Sequence, residues 1–130
     1  MSDMVSTAFG SLAMMTSVLV APDGTMEFEA AHGTVTRHSS RYLKGEETST
    51  NPMATIFAWS GALKRRGALD DLPELVNFGE KLEEACYDTL NAGIMTKDLV
   101  GLVEPGFTAT AVTSREFLNA IAERLAKKLA

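Results

Sequence analysis

The chain has 130 residues, of which 45% are hydrophobic, and a formal net charge of −5. This length and composition fit at most one domain and exclude a large multi-domain enzyme. A single cysteine excludes an internal disulfide, no apolar run reaches the ~18 residues of a membrane span, and the acidic balance argues against a general nucleic-acid binder. We therefore expect a cytoplasmic protein that binds neither membranes nor nucleic acids.

The first third of the chain predicts a short helix followed by a β-hairpin. Ser2 and Asp3 can cap a short apolar helix that reaches about Phe9. A β-branched run over 17–21, a Pro-Asp-Gly turn and an apolar–acidic alternation over 26–30 predict two paired strands. Because an isolated hairpin is marginal in water, we expect its sheet to continue in strands that this chain does not encode.

The later part of the chain predicts helices packed beside that sheet. Apolar residues recur at helical spacing over 52–66, 73–91 and 96–103, and Gly67 is expected to end the first helix. Thr113 with Glu116 forms a capping box that opens a terminal helix. The predicted core stripe of this helix consists of Phe117, Leu118, Ile121, Leu125 and Leu129.

Two residues on these helices have structural explanations. Trp59 is expected to be a core or subunit-contact residue on the helix after Pro52. Cys86 falls on the apolar stripe of the next helix, so we expect it to be buried and inert.

The polar segment between the hairpin and the first long helix is the most promising place for a ligand site. Residues 32–44 contain three cations and no acid, so this window carries +3 while the rest of the chain carries −8. Backbone amides next to a glycine, threonine hydroxyls and an arginine beside an imidazole suit a phosphate, although a solvated loop with a few charges fits the same residues. The run reads His32, Gly33, Thr34, Val35, Thr36, Arg37 and His38.

The same run closely resembles the cofactor segment of eukaryotic-type NADP-dependent isocitrate dehydrogenases. The resemblance includes Glu47-Thr48-Ser49-Thr50-Asn51-Pro52 at a fixed distance and further strings across residues 2–99, among them Met95-Thr96-Lys97-Asp98-Leu99. It implies an α/β fold, namely the C-terminal part of the large domain of the isocitrate/isopropylmalate dehydrogenase fold, with a β-hairpin and four or five helices. Residues 1–9 would belong to a small-domain helix, and the N-terminal half of the enzyme would be absent, so the chain would be a fragment.

The resemblance also implies roles for individual residues in binding NADP. The segment from Gly33 to Thr36 would contact the ribose and phosphates, with His32 lining the same pocket. Arg37 and His38 match the positions that hold the 2′-phosphate, and a cationic pair there favours NADP over NAD. The residue matching the adenine contact is Asn51, with Thr50 beside it.

One metal ligand and no catalytic residue are implied. Asp3 matches an aspartate that binds Mg²⁺ or Mn²⁺, although a helix cap is the simpler interpretation of this residue from the sequence alone. A single carboxylate is an incomplete site for these ions. The family's catalytic tyrosine and lysine lie upstream and have no counterpart in this chain.

The implied function is that of an oxidoreductase of the tricarboxylic acid cycle, which oxidatively decarboxylates isocitrate to 2-oxoglutarate and reduces NADP. We expect the isolated chain to be catalytically incomplete and to form a homodimer or otherwise self-associate. Any organellar targeting sequence would lie upstream of it. The alternative is a non-enzymatic nucleotide-binding or self-associating module derived from the same family.

Overall fold

The computed structural model describes residues 16–30, 43–44 and 51–130. The helix predicted over 4–9 lies outside these ranges. The architecture within them is α/β, with two small sheets and four helices in the chain order given below.

The predicted hairpin is confirmed. Strand β1 (Thr16–Val20) pairs antiparallel with β2 (Met26–Ala30), with Val18 opposite Phe28. The turn between them requires a positive φ, which Gly24 supplies at +91°.

Two long helices follow and pack against each other, α1 (Met53–Leu69) and α2 (Pro73–Asn91). The prediction that Gly67 ends α1 is wrong, because α1 continues two residues further and Gly67 is buried within it. A Cβ at Gly67 would lie 2.8 Å from the Cγ2 atom of Val76 on α2. Gly67 therefore permits close packing of the two helices instead of terminating the first.

A polar group also joins α1 to α2. Ser60, which is fully buried, donates a hydrogen bond of 2.7 Å to Glu83 on α2. The Lys64 ammonium lies 2.9 Å from the same carboxylate. The buried serine thus has a partner, as a polar group in a core requires.

A second sheet was not predicted. Strand β3 (Ile94–Thr96) pairs parallel with β4 (Thr110–Val112), and between them lies the short helix α3 (Lys97–Val100). These two strands form a separate sheet and do not extend the hairpin, so the expectation that the sheet of the hairpin continues in strands outside this chain stays a prediction. Strands of three residues are too short to show an alternating pattern. The helix predicted over 96–103 is shorter than expected, since it covers Lys97–Val100.

The terminal helix α4 (Ser114–Leu129) begins with the predicted capping box. Thr113 Oγ1 accepts from the N–H of Glu116 at 3.2 Å, and the Glu116 carboxylate accepts from the N–H of Thr113 at 2.9 Å. Phe117 and Ile121 are buried against the other helices. Leu118 and Leu129 are wrongly predicted as core residues, since each remains 45% exposed.

The core lies where α1, α2, α4 and the β3–β4 sheet meet. Trp59 does not belong to it, because that side chain is 65% exposed on α1. None of the helices in the described ranges is long and apolar enough to cross a membrane. The buried core side chains are Met53, Phe57, Ala85, Cys86, Leu90, Met95, Leu99, Phe117 and Ile121.

Cys86 is fully buried on α2, as predicted. Burial disfavours the thiolate and, with a smaller effect of the nearby Glu83 charge, raises the pKa of the Cys86 thiol to about 12. The thiol therefore stays protonated, and unreactive as a nucleophile, throughout the physiological pH range.

This burial predicts both reactivity and pH dependence. We expect Ellman's reagent at pH 8 to modify Cys86 only after denaturation. Above its ordinary pKa of 9.0 the thiol ionises in the unfolded chain but not in the folded one. Its contribution to the free energy of unfolding is therefore lost as pH rises from about 9 toward 12, by about 1.4 kcal/mol per pH unit.

The control is Cys86→Ala, which lacks this titration, so the difference in unfolding free energy between the two proteins isolates it. Rapid labelling of the native thiol at pH 8, or parallel pH profiles of the two proteins, would contradict the assignment.

Candidate functional site

Asn51 is the predicted site residue that lies in the described part of the chain. The other predicted site residues stay predictions, because they lie outside that part of the chain. Outside the described ranges lie His32, Gly33, Thr34, Val35, Thr36, Arg37, His38, Thr50 and the predicted metal ligand Asp3.

The described residues that flank the predicted cofactor segment both lie near the first turns of α1. Asn51 lies two residues before Met53, the first residue of α1. Ala30, at the end of β2, lines a groove of about 300 Å³ together with Thr55 and Ala58 of α1. The hairpin is held there because the Phe28 ring packs against Gly61, where a Cβ would lie 2.9 Å from the ring.

Asn51 forms hydrogen bonds with a carboxylate 47 residues away in the sequence. The Oδ2 atom of Asp98 accepts from the backbone N–H of Asn51 at 3.2 Å and also from its side-chain Nδ2. The other oxygen, Oδ1, accepts from the Thr96 hydroxyl at 2.6 Å. We refer to Asn51, Thr96 and Asp98 as the Asn51–Asp98 cluster.

The secondary structure places these residues next to one another. Thr96 ends β3 and precedes the first turn of α3, in which Asp98 lies. Thr96 is fully buried, whereas Asn51 is half-buried and Asp98 is exposed. The cluster thus has a buried base and a solvent-facing side, as a site for a soluble ligand requires.

The pair Asn51-Pro52 is typical of a helix start, with the asparagine as the N-cap and the proline as the first helical residue. The helix instead begins at Met53, one residue later. The Asn51 Oδ1 atom accepts from the backbone N–H of Met53 at 3.3 Å. The carboxamide therefore contacts both the start of α1 and Asp98.

Asp98 was not predicted as a site residue from the sequence. Asp98 entered only as one letter of a string that carries the resemblance, and no periodicity connects positions 51 and 98. The available signal was the Thr-x-Asp spacing of Thr96 and Asp98 at a helix start, which favours a local hydrogen bond.

The described residues include no group of three or more histidine, cysteine, aspartate or glutamate side chains placed to hold a metal ion. Asp3 lies outside the described residues, so its assignment as a metal ligand stays a prediction.

Comparison with known proteins agrees with the family resemblance seen in the sequence. A family model described as isocitrate/isopropylmalate dehydrogenase matches residues 1–121. The chain is 54% identical over 130 residues to the mitochondrial isocitrate dehydrogenase (NADP) of Saccharomyces cerevisiae, covering 98% of this chain and 30% of that protein.

Bacterial relatives are similarly close. Isocitrate dehydrogenase (NADP) 1 of Mycobacterium tuberculosis is 52% identical over 99% of this chain and 31% of its own length. The isocitrate dehydrogenase (NADP) of Sphingobium yanoikuyae is 50% identical over 99% of this chain and 32% of its own length. The chain thus spans about 30% of the length of these relatives.

The Asn51–Asp98 contact predicts the effect of replacing Asn51 with aspartate, which changes one N–H donor into a second carboxylate. Repulsion between the two carboxylates raises the pKa of the introduced group. We expect the free energy of unfolding at pH 7 to fall by about 1–3 kcal/mol.

Because the introduced carboxyl has a raised pKa in the folded state, the loss should shrink as pH falls from neutrality toward about 4. Urea unfolding at several pH values measures this, with Asn119→Asp on the exposed face of α4 as the control. A loss that does not change with pH would contradict the contact.

Proposed function

Because the chain belongs to the isocitrate/isopropylmalate dehydrogenase family, we propose that it supplies the adenosine and 2′-phosphate pocket of an NADP-dependent isocitrate dehydrogenase. The reaction is the oxidative decarboxylation of isocitrate to 2-oxoglutarate. The cofactor would serve as the hydride acceptor, and this chain would hold its adenosine end.

The Asn51–Asp98 cluster is the structural observation that supports the proposal. It holds a carboxamide, which suits the hydrogen-bonding edge of an adenine, at Asn51, a position that lies beyond His38 at the end of the predicted cofactor segment. In that segment, Arg37 and His38 offer positive charge to the 2′-phosphate, and Gly33 to Thr36 offer backbone N–H groups and hydroxyls. The relatives are named as NADP enzymes, which agrees with a phosphate-binding function.

The proposal assigns no catalytic residue to the chain. Asp3 would contribute one ligand to Mg²⁺ or Mn²⁺, and such ions require further oxygen ligands. Since the chain spans about 30% of the length of its relatives, the groups that bind isocitrate and transfer protons would lie on polypeptide beyond it. We therefore propose that the 130-residue chain alone does not turn over isocitrate.

Titration calorimetry on the 130-residue chain tests the pocket. We expect NADP⁺ to bind more tightly than NAD⁺, and Arg37→Ala to reduce that preference by about tenfold or more, because a charge-assisted hydrogen bond to the phosphate is lost. Arg115→Ala removes the same charge from an exposed position on α4 and should leave the preference unchanged. Isocitrate with Mn²⁺ and NADP⁺ should yield no NADPH.

Three results would contradict this account. Equal affinity for NADP⁺ and NAD⁺ would exclude the 2′-phosphate pocket, and turnover of isocitrate would show that the chain is catalytically complete. Absence of binding together with a mass that rises with concentration in light scattering would favour the self-associating module. That alternative is supported by the exposed apolar residues of the hairpin and α1, namely Val18, Leu19, Val20 and Trp59.

A further inference from the structure

The orientation of the Asn51 carboxamide is fixed by two partners of opposite hydrogen-bonding character. A carboxylate can only accept hydrogen bonds, so the Asn51 atom that faces Asp98 is the nitrogen. A backbone N–H can only donate, so the Asn51 atom that faces Met53 is the oxygen. Both contacts select the same orientation, and reversing the amide would lose both of them.

These contacts use half of the hydrogen-bonding capacity of the carboxamide. An asparagine side chain has two N–H donors and an oxygen with two lone pairs. Asp98 takes one N–H, and Met53 takes one lone pair. Among the described residues, this leaves one N–H and one lone pair for a ligand, with the positions of the amide nitrogen and oxygen fixed.

A donor and an acceptor in fixed order distinguish between purine bases. Adenine presents its N6 amino group as a donor beside ring nitrogens that accept, and a bidentate asparagine recognises this pattern. Hypoxanthine has a carbonyl oxygen in place of the amino group, so its acceptor would face the acceptor of Asn51. An amide that is free to turn over could instead donate to that carbonyl and accept from the N1–H of hypoxanthine.

We propose that Asp98 is a positioning residue that locks the Asn51 carboxamide in the orientation that selects an adenine base over a hypoxanthine base. The inference rests on the proposed function, in which Asn51 meets the adenine of NADP. Asp98 would act through Asn51 without contacting the base.

The surroundings of Asp98 suit this function. Its carboxylate accepts from Asn51 on one oxygen and from the Thr96 hydroxyl on the other. Thr96 is fully buried between β3 and α3, so its hydroxyl is a fixed point in the fold. Leu99, which follows Asp98 in the chain, is also fully buried and anchors the backbone. The carboxylate that orients Asn51 is therefore itself held in place.

The experiment compares the affinity of the 130-residue chain for NADP⁺ and for its hypoxanthine analogue by titration calorimetry. We expect the wild-type chain to prefer NADP⁺ by about tenfold or more. Asp98→Ala should reduce the preference to within about threefold, because an amide that is free to turn over can also form two hydrogen bonds with the hypoxanthine base. Asp98→Asn should retain most of the preference, since its amide oxygen can accept from Asn51 while the Thr96 hydroxyl accepts from its nitrogen.

Glu104→Ala is the matched control. It removes one negative charge from an exposed loop residue, so it reproduces any general gain in affinity for an anionic dinucleotide without affecting Asn51. Thr96→Val keeps the shape of the buried side chain but removes the donor to Asp98. It should lower the preference by less than Asp98→Ala does, and it provides a second variant if Asp98→Ala does not fold.

The outcomes separate the two proposals. If the wild-type chain binds neither dinucleotide, the proposed function fails, and this inference with it. If the wild-type chain prefers NADP⁺ and Asp98→Ala retains the full preference, the pocket stands and the positioning role of Asp98 is wrong. The same conclusion holds if Asp98→Ala weakens both dinucleotides by an equal factor, because that result indicates a purely structural role.

Discussion

The burial of Met53 and Leu99 in a single core is the constraint on which the candidate site depends. Met53 begins α1 two residues after Asn51, and Leu99 follows Asp98 in α3. Both side chains have no exposed surface. Burying one such side chain contributes about 1.5–3 kcal/mol, whereas a hydrogen bond contributes about 0.5–1.5 kcal/mol net. The core therefore brings the two segments together, and the hydrogen bonds of the Asn51–Asp98 cluster set the orientation of the side chains.

Buried polar side chains elsewhere in the described part of the chain also set geometry, while apolar burial supplies stability. Among the described residues, the three fully buried polar side chains each have a hydrogen-bond acceptor: Ser60 donates to Glu83 between the long helices, and Thr96 donates to Asp98. Thr89 donates to the carbonyl oxygen of Ala85 within α2. The Ser60 hydrogen bond connects α1 to α2, and the Thr96 hydrogen bond fixes Asp98 at the proposed site. These buried polar groups therefore determine geometry, while apolar burial supplies most of the stability.

The parts of the fold that could be predicted from the sequence are those determined by local interactions. The hairpin follows from a turn and an alternating pattern within fifteen residues, and the capping box of α4 from two side chains three positions apart. The β3–β4 pairing joins short strands that are separated in the sequence, so no local pattern predicts it. Gly67 was misinterpreted because a glycine that ends a helix and one that admits a neighbouring helix look alike in sequence.

The site was predictable to a different extent. The residues assigned to the dinucleotide came from resemblance to a family, and Asn51 is the one whose surroundings the structure describes. Its partner Asp98 could not be predicted, because the contact depends on the tertiary packing that buries Met53 of α1 and Leu99 of α3 in the same core. Exposed Trp59 and Leu118 show the same limit, since helical periodicity alone does not reveal which apolar residues the tertiary packing leaves at the surface.

The central claim is that the adenosine end of a dinucleotide binds at the Asn51–Asp98 cluster. A titration of the ¹⁵N-labelled chain with adenosine 2′,5′-bisphosphate, followed by NMR, tests it most directly. The account predicts shifts of the Asn51 side-chain amide and of the backbone amides from Thr96 to Asp98, with the amides at the end of α4 unchanged. Shifts confined to the groove between Phe28 and Trp59, or no shifts at saturating ligand, would contradict it.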